Sequence, residues 1–147
     1  MAACGNALEL DETMGERMEI NVNEKIDANE LNELLKTNNW GIPDTDKLEK
    51  ALALSWCWLT ARDEDSRLVG FVQVLSDGIR HAYILRLIVR PECQKQGIGT
   101  ALMTALMKIL NENNLLPTLV ATPGKDAFYE KFGFRQECKN MKAMCIR

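Results

Sequence analysis

Two segments in the first third of the chain repeat their hydrophobic positions with the period of an α-helix. In the first, residues 27–37, Asp27 stands where an N-cap is expected, Glu30 follows three residues later, and three leucines share one face. The second begins at Asp44 or Thr45 and continues through KLEKALALS. The breaker NNWGIP lies between them, so the pattern predicts two consecutive helices.

Strands are predicted where apolar and β-branched residues alternate or run together between turn residues. Three such segments follow one another closely, separated by the turns DEDS and SDG, and this spacing is typical of antiparallel neighbours. The predicted strands are 18–23, 55–62, 67–75, 81–90 and 116–122, with one or two more in the tail FRQECKNMKAMCIR.

Two further helices complete the pattern. Hydrophobic residues from Ile98 to Leu110 repeat on one face of a helix that runs to NENN, and a short helix within 123–134 ends at Gly133. The element order is β-α-α-β-β-β-α-β-α-β. It predicts an α/β (α+β) fold with a mixed, mostly antiparallel central sheet flanked by helices.

Composition and charge narrow the class of protein. The chain has 147 residues, enough for one domain with a buried core, and we expect that domain to span 18–147 after a flexible extension over 1–17. The net charge of −3, from 18 basic and 21 acidic side chains, argues against nucleic acid or an anionic membrane as a partner. No apolar run approaches the ~20 residues of a membrane-spanning helix. The first residues show no export signal, so a cytoplasmic location is expected.

Cysteine and histidine usage gives little support for a metal site. The five cysteines form no CxxC pair, and their odd number and wide spacing fit reduced thiols in an intracellular protein. His81 is the only histidine, so a histidine-based metal site or a cysteine–histidine nucleophile has little material. We therefore predict no metal, and we interpret His81, at the start of a strand beside a turn, as a surface residue rather than a base.

The candidate chemistry lies in QKQGIGTALM, where two glycines stand at the start of a predicted helix. A helix N-terminus presents unpaired N–H groups and the positive end of the helix dipole, which attract phosphate. Gly97 and Gly99 let the backbone come close to a ligand because neither has a Cβ. Gln94, Lys95 and Gln96 add hydrogen-bond donors on the approach to the helix.

Two well-known phosphate-binding motifs do not account for this turn. A Walker P-loop needs GxxxxGK[ST], which is absent, and the dinucleotide fingerprint GxGxxG needs glycine where this chain has Leu102. From these residues alone, two interpretations remain open: an anion site of another kind, and a tight strand-to-helix turn that binds nothing.

A second segment distinguishes between them. The run FYEKFGF at 128–134 follows the glycines by about thirty residues, and with the preceding strand end LIVRP the chain resembles the GNAT superfamily of acyl-CoA N-acyltransferases. In that superfamily the pyrophosphate loop is written Q/R-x-x-G-x-G/A, which Gln94, Gly97 and Gly99 match. The resemblance covers roughly 18–147 and is strongest over 82–134.

The resemblance implies a GNAT-like fold with a site for acetyl-CoA as the acyl donor. The strand before the glycines would hold the pantetheine arm through its backbone, and a backbone N–H near Leu87 or Ile88 would polarise the thioester carbonyl as an oxyanion hole does. The thioester would lie where the strand at 116–121 separates from the strand at 81–89. The implied cofactor-binding residues are Leu87, Ile88, Val89, Gln94, Lys95, Gln96, Gly97, Ile98, Gly99, Thr100 and Phe128.

The implied reaction is transfer of an acetyl group to a primary amine, on a small molecule or an exposed amino group, by direct attack on the thioester. Tyr129 would be the general acid that protonates the leaving sulfur, because a tyrosine of ordinary pKa ~10 is protonated at neutral pH. The alternative is that Tyr129 only packs. Two departures from the family's pattern, Gly124 in place of asparagine and Arg86 in place of an acidic residue, keep open a catalytically weak or inactive acyl-CoA-binding sensor.

Residues of the acceptor side are less well defined. Trp40 lies in the loop between the first two helices, where the family builds its acceptor wall, and Asp44 and Asp46 nearby would favour a cationic amine. In the run WCW, strand alternation would put Trp56 and Trp58 on one face. A homodimer built through the terminal strands is a family-level expectation.

Overall fold

The computed structural model of the chain describes residues 18–42 and 44–136. In chain order the elements are β1 (Glu19–Val22), α1 (Ala28–Lys36), α2 (Thr45–Ala53), β2 (Cys57–Arg62), β3 (Leu68–Ser76), β4 (His81–Val89), α3 (Ile98–Glu112), β5 (Leu116–Leu119) and α4 (Asp126–Glu130), with a 3₁₀ turn at Pro91–Cys93 before α3. This order confirms the predicted one as far as α4. The strands predicted in the tail and the extension expected at the N-terminus lie outside the described residues.

The first two helices begin where the sequence predicted, at aspartate caps. The Asp27 carboxylate accepts hydrogen bonds from the backbone N–H groups of Asn29 (2.7 Å) and Glu30 (3.1 Å). Asp44 rather than Thr45 caps α2, and its carboxylate accepts from the N–H of Lys47 at 3.1 Å. Both caps satisfy N–H groups that a helix end would otherwise leave unpaired.

The five described strands form one sheet in the order β1-β2-β3-β4-β5. The first three pairs are antiparallel, as expected for strands joined by short turns, and β4 pairs with β5 in parallel after the long connection through α3. The predicted class, a mixed and mostly antiparallel sheet flanked by helices, is therefore confirmed.

Each face of the sheet has its own hydrophobic core. Helix α3 buries Leu102, Leu106 and Leu110 on one face, and α1 and α2 bury a second cluster around Phe71 on the other. Gly70 in β3 allows α3 to lie close to the sheet, because a Cβ there would stand 2.9 Å from a methyl carbon of Leu102. This packing fixes the start of α3, and with it the glycine turn, against the sheet.

The two tryptophans of WCW do not share a face, so that prediction was wrong. Trp58 packs on the core of α1 and α2 and donates its indole N–H to the carbonyl of Glu24 at 3.0 Å. Trp56 packs on the α3 side, together with the buried Cys57. It precedes the first residue of β2, so strand alternation does not extend to it.

A cluster of charged side chains joins β2 to the first helix. Arg62 donates to both carboxylate oxygens of Glu30, at 2.9 and 3.1 Å, and its Nε donates to Glu24. Glu24 also accepts from the hydroxyl of Thr60 at 2.6 Å, and Glu30 accepts from the backbone N–H of Leu68 at 3.2 Å. Hydrogen bonding to Arg62 holds the pKa of Glu30 below its ordinary value.

Replacing Arg62 with methionine is expected to lower the free energy of unfolding by roughly 2–4 kcal/mol, because two poorly hydrated carboxylates lose their counter-charge. Urea unfolding at neutral pH measures this loss. The matched control is Arg67→Met, which breaks an exposed pair with Glu92 (2.5 Å) and should cost much less, because water screens the two charges. Equal losses of unfolding free energy in Arg62→Met and Arg67→Met would contradict the expectation.

Because the pKa of Glu30 is depressed in the folded state, the contribution of Glu30 to stability is present above pH 4.5, its ordinary pKa, and is lost as the pH falls further.

Candidate active site

The described residues form a cleft of about 1050 Å³ between the second half of β4, the glycine turn and α4. The end of β5 and the loop after α1, with Thr37, Asn38 and Trp40, complete its walls. Segments far apart in the sequence thus meet at one place.

The cleft opens where β4 and β5 part. Their pairing covers residues 81–84 of β4 and stops at the pair Ile84–Leu119, where β5 ends. From Leu85 to Val89, β4 is paired with β3 alone among the described residues. One edge of this stretch therefore presents backbone donors and acceptors without a strand partner, as the edge of any sheet does.

A bulge interrupts β4 within the same stretch. Leu85 pairs with Gln73 and Ile88 with Phe71, so Val72 alone faces two residues, Arg86 and Leu87. Arg86 has a φ of 56°, in the left-handed region that residues other than glycine rarely adopt. Bulges of this kind bend a strand and redirect its backbone groups.

The glycine turn leads directly into α3. Gly97 is the N-cap with a φ of 86°, which an L-residue adopts only with strain, and no side chain of the described residues bonds to the first N–H groups of the helix. The backbone N–H groups of Ile98, Gly99 and Thr100 thus lack a capping side chain beside the cleft. Their positive dipole end suits an anion.

Almost all residues predicted to bind acetyl-CoA line this cleft. The exception is Gln96, whose side chain donates instead to the carbonyl of Glu92 at 3.4 Å. Gln94 lines the cleft and donates its amide N–H to the carbonyl of Val89 at 3.1 Å, tying the turn to the end of β4. Direct contacts between these residues and acetyl-CoA stay a prediction.

Tyr129 and Phe128 lie on α4 and line the cleft together. The ring of Tyr129 packs edge-on against Phe128, with 5.1 Å between centroids, and against Phe134 at 6.2 Å. Burial raises the pKa of Tyr129 above its ordinary value of 10.0, so the hydroxyl stays protonated at neutral pH. A methyl group placed on Gly99 would stand 3.6 Å from Phe128, which shows how closely α4 approaches the start of α3.

The charge of the cleft is opposite to that of the chain. The cations that line it are Arg86, Lys95, Lys125 and Lys131, and among the described residues no carboxylate lines it. Asp44 caps α2, and neither it nor Asp46 lines the cleft, which removes the basis for expecting a cationic amine.

Some lining residues had not been singled out from the sequence. Lys125 and Lys131 flank the FYE of α4, so the FYEKFGF motif could have pointed to them. Tyr83 lies on β4 a few residues before the predicted pantetheine strand and is 42% exposed. His81 is exposed outside the cleft, in agreement with its interpretation as a surface residue.

Within residues 18–42 and 44–136, no group of three or more histidine, cysteine, aspartate or glutamate side chains could hold a metal ion. The helices of the same residues are too short or too polar to cross a membrane.

Comparison with known protein families places this chain among the acyltransferases. Residues 26–134 match the model of the Acetyltransferase (GNAT) family. The chain belongs to this family, as the glycine turn and the FYEKFGF segment had predicted.

Known proteins support the assignment. The chain is 31% identical over 123 residues to the uncharacterized N-acetyltransferase ycf52 of Porphyra purpurea. The aligned residues cover 81% of this chain and 71% of that protein. A probable acetyltransferase from Staphylococcus aureus has the same fold, with a TM-score of 0.80 and 22% identity over 89% of this chain and 99% of that one. An Escherichia coli GNAT family N-acetyltransferase solved in complex with CoA has a TM-score of 0.67 and 21% identity over 87% of this chain and 73% of its own.

Proposed function

We propose that the protein transfers the acetyl group of acetyl-CoA to a primary amine, with Tyr129 as the general acid. The observation that carries the proposal is the placement of three features in one cleft: the edge of β4 and the start of α3, which no described residue pairs or caps there, and the hydroxyl-bearing ring of Tyr129. Family membership makes the chain an acyltransferase, and the arrangement of these three features in the cleft suggests the role of each in the reaction.

The residues of the cleft fit acetyl-CoA as the donor. A volume of about 1050 Å³ is at the upper end of the range for small-molecule sites and suits a long cosubstrate. The N–H groups at the start of α3 and the ammonium groups of Lys95, Lys125 and Lys131 would hold phosphate groups. Backbone groups of Leu87 to Val89 would hold the pantetheine arm as an added strand is held.

The chemistry then needs few side chains. The neutral amine forms a C–N bond to the acyl carbon, the C–S bond breaks, and the sulfur takes the phenolic proton of Tyr129. The nitrogen releases its proton to solvent, and the tyrosinate takes up a proton from solvent. The net products are therefore an amide and CoA thiol. A backbone N–H at the bulge would stabilise the charge that develops on the thioester oxygen, and the fixed cleft holds both reactants together.

Incubation with acetyl-CoA and a panel of neutral, cationic and anionic primary amines is expected to release CoA thiol at a rate that depends on the amine. Thiol release and mass spectrometry of the amine measure the reaction, and the control omits the amine. If calorimetry shows that acetyl-CoA binds while no amine is acetylated, the alternative of an inactive acyl-CoA sensor is correct and the proposal is wrong.

A further inference from the structure

Arg86 has a guanidinium nitrogen that no described residue satisfies. Its Nη1 is shielded from solvent and has no hydrogen-bond partner within residues 18–42 and 44–136. Other arginines near the sheet are paired: Arg62 and Arg67 form ion pairs, and Arg90 donates to a backbone carbonyl at 2.8 Å. Because buried polar groups are normally satisfied, a missing acceptor is expected at Arg86.

The fold holds this arginine at the cleft. Arg86 lines it from the bulge of β4, immediately before Leu87, and its left-handed backbone belongs to that bulge. The glycine turn that would hold phosphates follows the other end of this stretch, beyond Val89. Along the strand, Arg86 therefore lies before the segment proposed for the pantetheine arm and away from the phosphate end.

The surroundings of Arg86 favour an anion. No carboxylate of the described residues lines the cleft, so the guanidinium has no counter-charge there. Burial lowers the pKa of Arg86 below its ordinary value, yet an arginine in a protein keeps its proton at neutral pH. A planar guanidinium pairs best with a carboxylate or a phosphate, since it can donate two parallel hydrogen bonds to either.

We propose that Arg86 binds an anionic oxygen group on the amine acceptor, so that the enzyme prefers amines that carry a carboxylate or a phosphate. This inference rests on the proposed acetyl transfer to an amine. It also predicts that polyamines, which carry only positive charge, are poor acceptors, because Arg86 would repel them.

Matched pairs of amines test the preference. Phenylalanine and 2-phenylethylamine differ only in the carboxylate, and their ring suits the partly exposed Trp40 in the same cleft. O-phosphoethanolamine and ethanolamine differ only in the phosphate and distinguish the two anions. We expect kcat/KM to favour at least one of the two anion-bearing amines over the counterpart that lacks the anion by about ten- to hundredfold, the range of a charge-assisted pair.

Two variants assign the preference to the guanidinium. Arg86→Asn removes the charge but tolerates the left-handed backbone, and it should abolish the preference. Arg86→Lys keeps the charge and should retain part of the preference for anionic amines. The dissociation constant of CoA should stay within about twofold in both, and thermal unfolding should show that both are folded.

The outcomes separate this inference from the proposed function. If wild-type protein acetylates both members of each pair equally, or if Arg86→Asn keeps the preference, the inference is wrong and acetyl transfer stands. A selective loss of CoA affinity in Arg86→Asn would mean that Arg86 binds the cofactor, which also overturns it.

A carboxylate of this chain could satisfy Arg86 instead. Glu137 is the one acidic residue after Glu130, and it lies outside the described residues. If the wild-type protein shows no preference and Glu137→Gln creates one, the inference is wrong for the wild-type protein. If no amine of any charge is acetylated, the proposed function fails. In that case, calorimetry with phenylalanine and O-phosphoethanolamine on CoA-saturated protein tests the inference alone. The inference requires that the wild-type protein binds at least one of these amines and that Arg86→Asn does not.

Discussion

Replacing Tyr129 with phenylalanine is expected to lower kcat by about a hundredfold and to leave the dissociation constant of acetyl-CoA nearly unchanged. The substitution removes the proton that the departing sulfur would take. It keeps the ring that packs against Phe128 and Phe134, so the cleft should keep its shape. Steady-state kinetics with a good acceptor and calorimetry with acetyl-CoA measure the two quantities.

Tyr83→Phe is the matched control, because Tyr83 is the other tyrosine of the chain and also lines the cleft. It loses the same hydroxyl and should keep kcat within about twofold. Full activity of Tyr129→Phe would show that Tyr129 only packs and that the sulfur leaves without its proton. A loss of the same size in both variants would mean that the effect is not specific to Tyr129.

The pH dependence of the wild-type enzyme gives a second check. The pKa of Tyr129 is raised by burial, so the group stays protonated through the neutral and mildly alkaline range. Activity should rise with pH as the amine loses its proton, and Tyr129 should cause no decline below about pH 10. A fall in kcat with an apparent pKa near 8 would point to another acid.

Features set by neighbouring residues were predicted well from the sequence. The aspartate caps, the meander and the apolar stripe of α3 each depend on a few adjacent positions, and the structure has them within a few residues of the predicted bounds. The family motifs located the cleft for the same reason, since a glycine turn and a short aromatic helix are local signals.

Features that depend on distant contacts were missed. Glu30 matches a capping box, yet its carboxylate pairs with Arg62, which is 32 residues away. The bulge at Arg86 leaves no local signal, because it is set by the register of β4 against β3. The positive charge of the cleft arises from three segments, β4, the glycine turn and the ends of α4, that meet only in the folded chain, so the net charge of −3 gave no sign of it.

Replacing Gly97 with alanine is expected to weaken CoA binding by about ten- to hundredfold, which corresponds to the loss of one or two charge-assisted hydrogen bonds. Gly97 has a φ of 86°, and an L-residue there is strained by roughly 1–2 kcal/mol. The turn would relax away from this conformation. The N–H groups of Ile98, Gly99 and Thr100 would then no longer converge on the pyrophosphate. Calorimetry with CoA measures the affinity.

Gly78→Ala separates loss of the turn from general loss of stability. Gly78 also has a positive φ, 71°, but it lies in the turn between β3 and β4 and does not line the cleft. Both alanine variants should lower the midpoint of thermal unfolding by a similar amount, whereas only Gly97→Ala should lose CoA. Wild-type affinity in Gly97→Ala would contradict a phosphate site at the glycines and leave them as a tight turn alone. Because CoA stabilises the folded state in proportion to its affinity, the thermal shift it causes should shrink in Gly97→Ala and persist in Gly78→Ala.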